Sequence, residues 1–265
     1  MSTGTEDVET AMANLMTTAP PSLAIGVLAE VGLADRYARF ASPIGPLVVA
    51  WNGLGVSAVE AAPDDATFEA NHWARTGRPA VRADRLPDTL ERAIARRLGG
   101  DRRVRIDLDL RGRTDFERDV WQKALEIPRG EVRPYGWIAG EIGRPRAVRA
   151  VGTALGHNPV PLIVPCHRVV RTDGSIGQYS LGGPGNKRTI LAAEGLDPDA
   201  MESAARSGAR YLGSDTTRVV CLPTCHHAKR IAAVHRVPFR SFAAAAGAGY
   251  RPCRYCRPHS GAMAA

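Results

Sequence analysis

The sequence runs to 265 residues, 44% of them hydrophobic and 23% charged, with a net charge of +8. That length holds one or two domains and a small module besides, and the composition is that of a folded soluble chain. No stretch approaches the roughly 20 apolar residues of a membrane span; the most apolar segment, SLAIGVLAEVGLADRYARF, carries Glu30, Asp35 and two arginines and lacks the basic start and cleavage site of a secretory signal.

Residues 1–34 read as a weakly structured leader with a helical patch, broken at TTAPPS. From Arg36, the alternation in YARFASPIGPLVVAWNGLGVSAVEAA around Gly45-Pro46 and Asn52-Gly53 predicts two strands joined by tight turns. PDTLERAIARRLGG predicts a helix ending at Gly99-Gly100, and VRIDLDLRG an alternating strand. Region 35–112 is thus expected to be a small α/β layer. Region 113–200 opens with TDFERDVWQKALEIPRG, a helix that Thr114 or Asp115 can cap, with Phe116, Val120, Leu125 and Ile127 facing inward. Two short helices follow, in YGWIAGEIGRP and AVRAVGTALGHNP, and their tight GRP turn is a helix-turn-helix signature. The second carries small residues around Arg149, which lets it approach a groove or pack closely on its neighbour. PLIVPCHRVV predicts a strand, RTDGSIGQYSLGGPGNK a glycine-rich loop, and KRTILAAEGL a closing helix; DPDAMESAARSGA is a linker or short helix. The fold class is α+β, with a small basic module over 205–262.

Charge and cysteine usage converge on function. Ten lysines and arginines against two acidic residues lie between Met201 and Ala265, which is the whole net excess. Another basic stretch spans 133–190, so the partner is expected to be a polyanion. Five cysteines in a chain expected to reside in the cytoplasm argue for metal or catalysis rather than disulfides. Cys166 stands alone, followed by His167. A thiol reacts as thiolate, and an imidazole can take its proton. On a strand, however, neighbours point to opposite faces, so spacing alone leaves Cys166 either a nucleophile or a small buried residue. Preceding Pro165 and the following glycine loop favour the nucleophile.

The stretch FERDVWQKALEIPRGEVRPYGWIAGEIGRPRAVRAVGTALGHNPVPLIVPCHRVVRTDGSIGQYSLGGPGNKRTILAAEG closely resembles the methylated-DNA–protein-cysteine methyltransferases, which repair O6-methylguanine. The likeness runs over about 115–195 and centres on PCHRV, with RAVG and NP upstream. It implies a ribonuclease-H-like domain over 35–112 and a winged helix-turn-helix alkyltransferase domain over 113–200. It further implies that Cys166 accepts the alkyl group once and irreversibly, with His167 drawing the thiol proton through a water and Glu194 holding the imidazole. Asn158 would brace the turn beneath the site, and Tyr135 would assist extrusion of the guanine. Arg149 would fill the stack that the flipped nucleotide has left, while Ser180 and backbone groups near Cys166 and Val169 read the base, with Lys187 close behind. The partner would be double-stranded DNA containing alkylated guanine, bound by a monomer. A sensor that binds alkylated DNA without chemistry is the alternative, disfavoured by the presence of Cys166. Glu117 stands where the family often has glutamine, away from the chemistry.

Cys221-x3-Cys225-x27-Cys253-x2-Cys256 has the spacing of a single tetrahedral four-cysteine zinc site, with no organic cofactor called for. His226 and His227 are expected at the surface, since the cysteines already complete the site. Metal binding is expected to drive folding of this module. TTRVVCLPTC and FRSFAAAAGAGYRPCRYCRP also resemble the zinc domain of Ada adaptive-response proteins. The resemblance implies that Cys221 is both zinc ligand and a second methyl acceptor, from DNA phosphotriesters. Leu222 replaces the arginine usual between the first cysteine and the proline, and CHHAK replaces a C-x-A-R-like continuation, so Lys229 would stand in for an expected arginine contact with DNA.

Overall fold

The computed structural model describes residues 21–258. The first twenty residues of the expected leader, and the end of the expected zinc module beyond Pro258, lie outside the described residues. Helix α1 (Pro21–Glu30) leads into β1 (Asp35–Ser42), β2 (Gly45–Asn52) and β3 (Gly55–Glu60). Three strands therefore stand where two were expected, because each of the two turns reverses the chain fully. Ser42 Oγ bridges the first turn, accepting from Ile44 N and donating to the Gly45 carbonyl. Asn52 Oδ1 closes the second by accepting from Leu54 N at 2.8 Å. Two further elements follow, α2 (Asp65–Thr76) and β4 (Ala80–Arg82). The sheet runs β3-β2-β1-β4, antiparallel except for the parallel β1/β4 pair.

Helix α3 (Asp88–Leu98) forms as expected. The strand expected in VRIDLDLRG does not form; a single bridge joins Val56 to Leu108. The segment passes directly over Gly55, whose φ is +134° and whose missing Cβ would lie 2.3 Å from the Asp107 carbonyl oxygen. Beneath it Asp35 is wholly buried, accepting from Asn52, Ser57, His72 and Arg78. Burial works to raise the Asp35 pKa, but these hydrogen bonds outweigh it and hold the carboxyl well below the usual carboxylate range.

Helix α4 (Asp115–Leu125) begins at Thr114, which forms a capping box with Glu117; a cap of this kind contributes about 1 kcal/mol. Glu117, departing from glutamine, thus has a structural role. Helices α5 (Tyr135–Glu141) and α6 (Val148–Gly156) pack on α4 through Val120, Trp121, Ile138, Ala139, Val151 and Leu155. Trp121 Nε1 donates to the Ala154 carbonyl at 2.8 Å. Strand β5 (Arg133–Pro134) pairs in parallel with β6 (Val169–Val170). Helix α7 (Gly183–Ala193) and helix α8 (Pro198–Ser207), capped by Asp197 and Gly208, complete this half.

The basic C-terminal module carries β7 (Tyr211–Ser214), β8 (Val219–Cys221), α9 (His226–Lys229), β9 (Arg236–Phe239), α10 (Phe242–Gly247) and β10 (Arg251–Pro252). Its sheet order is β10-β8-β7-β9. Buried Tyr211, Val220, Ala245 and Tyr250 belong to the same apolar cluster as Trp137 and Trp121, so the module shares a core with the preceding helices. The whole is a mixed α+β fold. Among the described residues no helix is long and apolar enough to cross a membrane.

Candidate functional site

Where PLIVPCHRVV predicts a strand, only Val169–Val170 (β6) is strand, and the chain before it makes two successive turns. Pro159, Pro161 and Pro165 bring no backbone N–H, so a ladder through them cannot be sustained. Val164 N bonds back to the Val160 carbonyl at 3.0 Å, Leu162 takes a positive φ of 72°, and Cys166–Arg168 form one turn of 3-10 helix. At three residues per turn, successive side chains diverge by about a third of a circle rather than a half. The opposite-face argument against Cys166 and His167 therefore does not apply.

Asn158 organises this turn. Its Nδ2 donates to the Val164 carbonyl at 3.0 Å and to Cys166 Sγ at 3.2 Å, while its Oδ1 accepts from Val160 N at 3.0 Å. Cys166 is 5% exposed. Burial pushes its thiol above the ordinary value, and the Asn158 hydrogen bond and the Lys187 charge pull back against this. His167 is wholly buried, its Nε2 lying 3.0 Å from Glu194 Oε1. Burial lowers the imidazole pKa, with Glu194 opposing. His167 Nδ1 is buried and has no protein partner. Glu194 also accepts from Arg168 at 2.7 to 3.1 Å and from Gly130 N at 3.3 Å. Burial raises the Glu194 pKa, but the His167 and Arg168 hydrogen bonds outweigh it and hold the carboxyl at about 2. The result is a carboxylate fixed on three sides, orienting a neutral imidazole next to a buried thiol.

The other expected residues divide into two groups. Tyr135, at the start of α5, is half-buried, and burial, with a smaller contribution from Cys166, raises its phenol pKa. Arg149 on α6 is exposed, as is Ser180, which lines a cleft of about 680 Å³ with Asn158, Pro159 and Leu181. Lys187 does not reach the surface as a DNA contact would require. It is wholly buried, and its Nζ donates to the Val169 carbonyl at 2.6 Å and to the Gln178 carbonyl at 3.4 Å. Burial lowers its pKa to about 8. Lys229 is exposed, but its Nζ is engaged within the chain, donating to the Gly130 carbonyl at 2.8 Å.

Cys221, Cys225, Cys253 and Cys256 are all buried, with sulfurs within 4.8 Å of one another. A tetrahedral zinc with bonds of about 2.3 Å would hold sulfurs about 3.8 Å apart, so the four fit the ion in number, chemistry and spacing. Leu222 N points at Cys256 Sγ at 3.3 Å, a donor that stabilises a thiolate there. His226 and His227 are exposed and stack with Tyr255 rather than entering the cluster. Cys221 and Cys253 form part of the wall of an open cleft, also about 680 Å³, rimmed by His227, Arg230, His235, Arg251 and Arg254.

Residues 115–196 match the family described as 6-O-methylguanine DNA methyltransferase, DNA binding domain, and residues 200–259 match the metal binding domain of Ada. The methylated-DNA–protein-cysteine methyltransferase of Mycobacterium tuberculosis is 41% identical over 159 residues, covering 60% of this chain and 92% of that protein. The chain belongs to the methylated-DNA–protein-cysteine methyltransferases. The bifunctional transcriptional activator/DNA repair enzyme Ada of Escherichia coli is 38% identical over 156 residues, covering 57% of this chain but 43% of Ada. Among solved structures, the M. tuberculosis OGT–DNA complex is 36% identical, with coverage of 60% and 92% and a TM-score of 0.47. Two residues of this methyltransferase's site went unread in the sequence. Arg168 locks Glu194, and its only signal was a third polar residue in CHR. Tyr179 is buried beside His167, rings 6.2 Å apart edge to face, with an unpartnered hydroxyl and a phenol pKa that burial pushes well up.

Proposed function

We propose that this protein repairs double-stranded DNA by moving the methyl group of O6-methylguanine onto Cys166, once per molecule. The observation that carries this reading is the buried Cys166 thiol held by Asn158, with the His167–Glu194 pair beside it. His167 Nδ1 takes the thiol proton through a bridging water. The thiolate attacks the methyl carbon; the S–C bond forms as the C–O6 bond breaks. The electron pair leaves on guanine, which regains a proton from His167. Cys166 becomes a thioether and has no route back to thiol. Tyr135, Ser180 and Tyr179 frame the flipped base, and exposed Arg149 on α6 fills the gap in the stack. Lys187 supports the site from within by fixing the Val169 and Gln178 carbonyls and by its charge near Cys166.

Under this reading the described part of 1–34 is a helical lead-in, 35–112 a ribonuclease-H-like domain, 113–200 a winged helix-turn-helix domain and 205–262 a zinc module. The α5–α6 pair and the β5–β6 ribbon support the winged assignment. The protein acts as a monomer in the cytoplasm, where its five cysteines, none of them in a disulfide, stay reduced. One zinc, held by the four cysteines, would keep them deprotonated and the module folded. Cys221, in the wall of an arginine-rimmed cleft, is the second methyl acceptor. Its thiolate attacks the methyl of a phosphotriester, leaving a phosphodiester anion. The thioether formed has lost one negative charge, which raises affinity for DNA phosphate.

With excess O6-methylguanine duplex, transfer should plateau at one methyl per chain. Continued turnover would sink this reading in favour of a Cys-His hydrolase, and no transfer would favour the sensor.

A further inference from the structure

The C-terminal module sits against the segment that precedes α5, and three successive residues of that segment are bonded to it. Lys229 Nζ donates to the Gly130 carbonyl at 2.8 Å. His226 N donates to Glu131 Oε1 at 3.2 Å. Val132 N donates to Thr224 Oγ1 at 2.9 Å, and that hydroxyl donates back to the Val132 carbonyl at 3.2 Å. Further along, Trp137 Nε1 donates to the carbonyl of Cys256, one of the four cluster cysteines, at 2.9 Å. The guanidinium groups of Arg133 and Arg257 each lie 5.6 Å from the Trp137 ring centre.

The other face of the same segment holds the chemistry. Gly130 N donates to Glu194 Oε2, so one residue joins the C-terminal module to the carboxylate that orients His167. Gly130 has a φ of +72°, and a Cβ there would lie 3.0 Å from the Glu194 carbonyl oxygen. The position therefore has little freedom to choose another path. Arg129 adds donors to the Ala193 and Glu194 carbonyls, tying the segment to the end of α7.

We propose that Lys229 is a positioning residue for alkyl transfer at Cys166, fixing through Gly130 the carboxylate that orients His167, while Thr224 holds the same segment two residues on, at Val132. The zinc module is then part of the alkyltransferase site's frame as well as a DNA-facing unit. The inference rests on the reading of Cys166 as the acceptor. It assigns Lys229 a role other than a phosphate contact: the side chain is exposed, and its Nζ donates to the Gly130 carbonyl.

The test is single-turnover transfer from a duplex carrying one O6-methylguanine, at varied concentrations of the full-length, zinc-loaded protein. This separates the DNA Kd from the transfer rate constant. Lys229→Met is expected to slow transfer on the order of tenfold, because loosened orientation of reacting groups is felt mainly in the chemical step. Kd and its salt dependence should stay at the wild-type values, and Lys229→Arg, which can still reach the carbonyl, should restore most of the rate. An unchanged rate constant would overturn the inference. So would a loss confined to Kd with a shallower salt slope, which is the signature of a phosphate contact. Should Lys229→Met not fold, Thr224→Val, which removes one hydroxyl from the same face, carries the same test by the same criteria. A wild-type protein that fails to methylate Cys166 would instead sink the functional reading itself.

Discussion

Replacing Glu194 with glutamine tests the centre of the account. The carboxylate is 8% exposed and accepts from His167, Arg168 and Gly130. A carboxamide is almost the same size but offers one accepting oxygen and an NH2 that donates. Whichever way it turns, the NH2 meets at least one donor, and the Arg168 guanidinium, 6% exposed, keeps its charge without a counter-ion. Removing one partner of a buried pair costs about 3–5 kcal/mol, a large share of the roughly 5–15 kcal/mol that stabilises a domain. The loss should depend on pH. Glu194 ionises at about 2 in the folded chain against an ordinary 4.5. Its folded pKa is depressed, so its contribution is fully present above pH 4.5 and disappears as pH falls toward 2. The difference of about 2.5 units corresponds to on the order of 3 kcal/mol. Urea titrations should therefore show the gap between wild type and Glu194→Gln closing across that window. In the same variant, His167 loses the carboxylate charge that orients and supports it, and the methyl-transfer rate should fall on the order of 10²-fold. A variant that stays folded and transfers methyl at the wild-type rate would refute the role given to the His167–Glu194 pair.

Three further outcomes follow from the geometry. Asn158→Ala removes the donor that lowers the Cys166 pKa, so the midpoint of the transfer rate against pH should move upward. It also strands the buried Val160 N–H at about 1–3 kcal/mol, and an unmoved midpoint would separate Asn158 from the thiol. Arg149→Ala should slow transfer from duplex DNA by up to the unstacking energy of a flipped base, roughly a few kcal/mol; an unaltered rate would remove Arg149 from the extrusion step. Metal analysis should find one zinc per chain, and chelation should abolish hydrogen-exchange protection in the β7–β10 sheet; full protection without metal would show that the module folds on its apolar core alone.

Much of this was legible before any fold was known, and what was not has physical causes. The cysteine spacing needed no context, because four thiols arranged as two close pairs match one tetrahedral ion. The Thr114 cap was legible because capping is local. The apolar content of PLIVPCHRVV reads as strand, but Pro161 and Pro165 within it and Pro159 before it cannot donate to a ladder, so only Val169–Val170 pairs. Helix α2 was missed because Phe68 and His72 are its only buried residues, too few to show a period. The lysines were the hardest. Whether an ammonium faces a phosphate or a distant carbonyl depends on chain segments far away in sequence, such as Gly130 for Lys229 and Val169 for Lys187. Arg168 shows only as a third polar residue in CHR, since its partner Glu194 lies 26 residues away.

The most direct measurement is a peptide mass map after reaction with a duplex containing O6-methylguanine. The peptide bearing Cys166 should gain the mass of one methyl group in place of the thiol hydrogen, and Cys166→Ser should leave the DNA lesion intact. Repair by Cys166→Ser, or a methyl group found on another residue, would contradict the account.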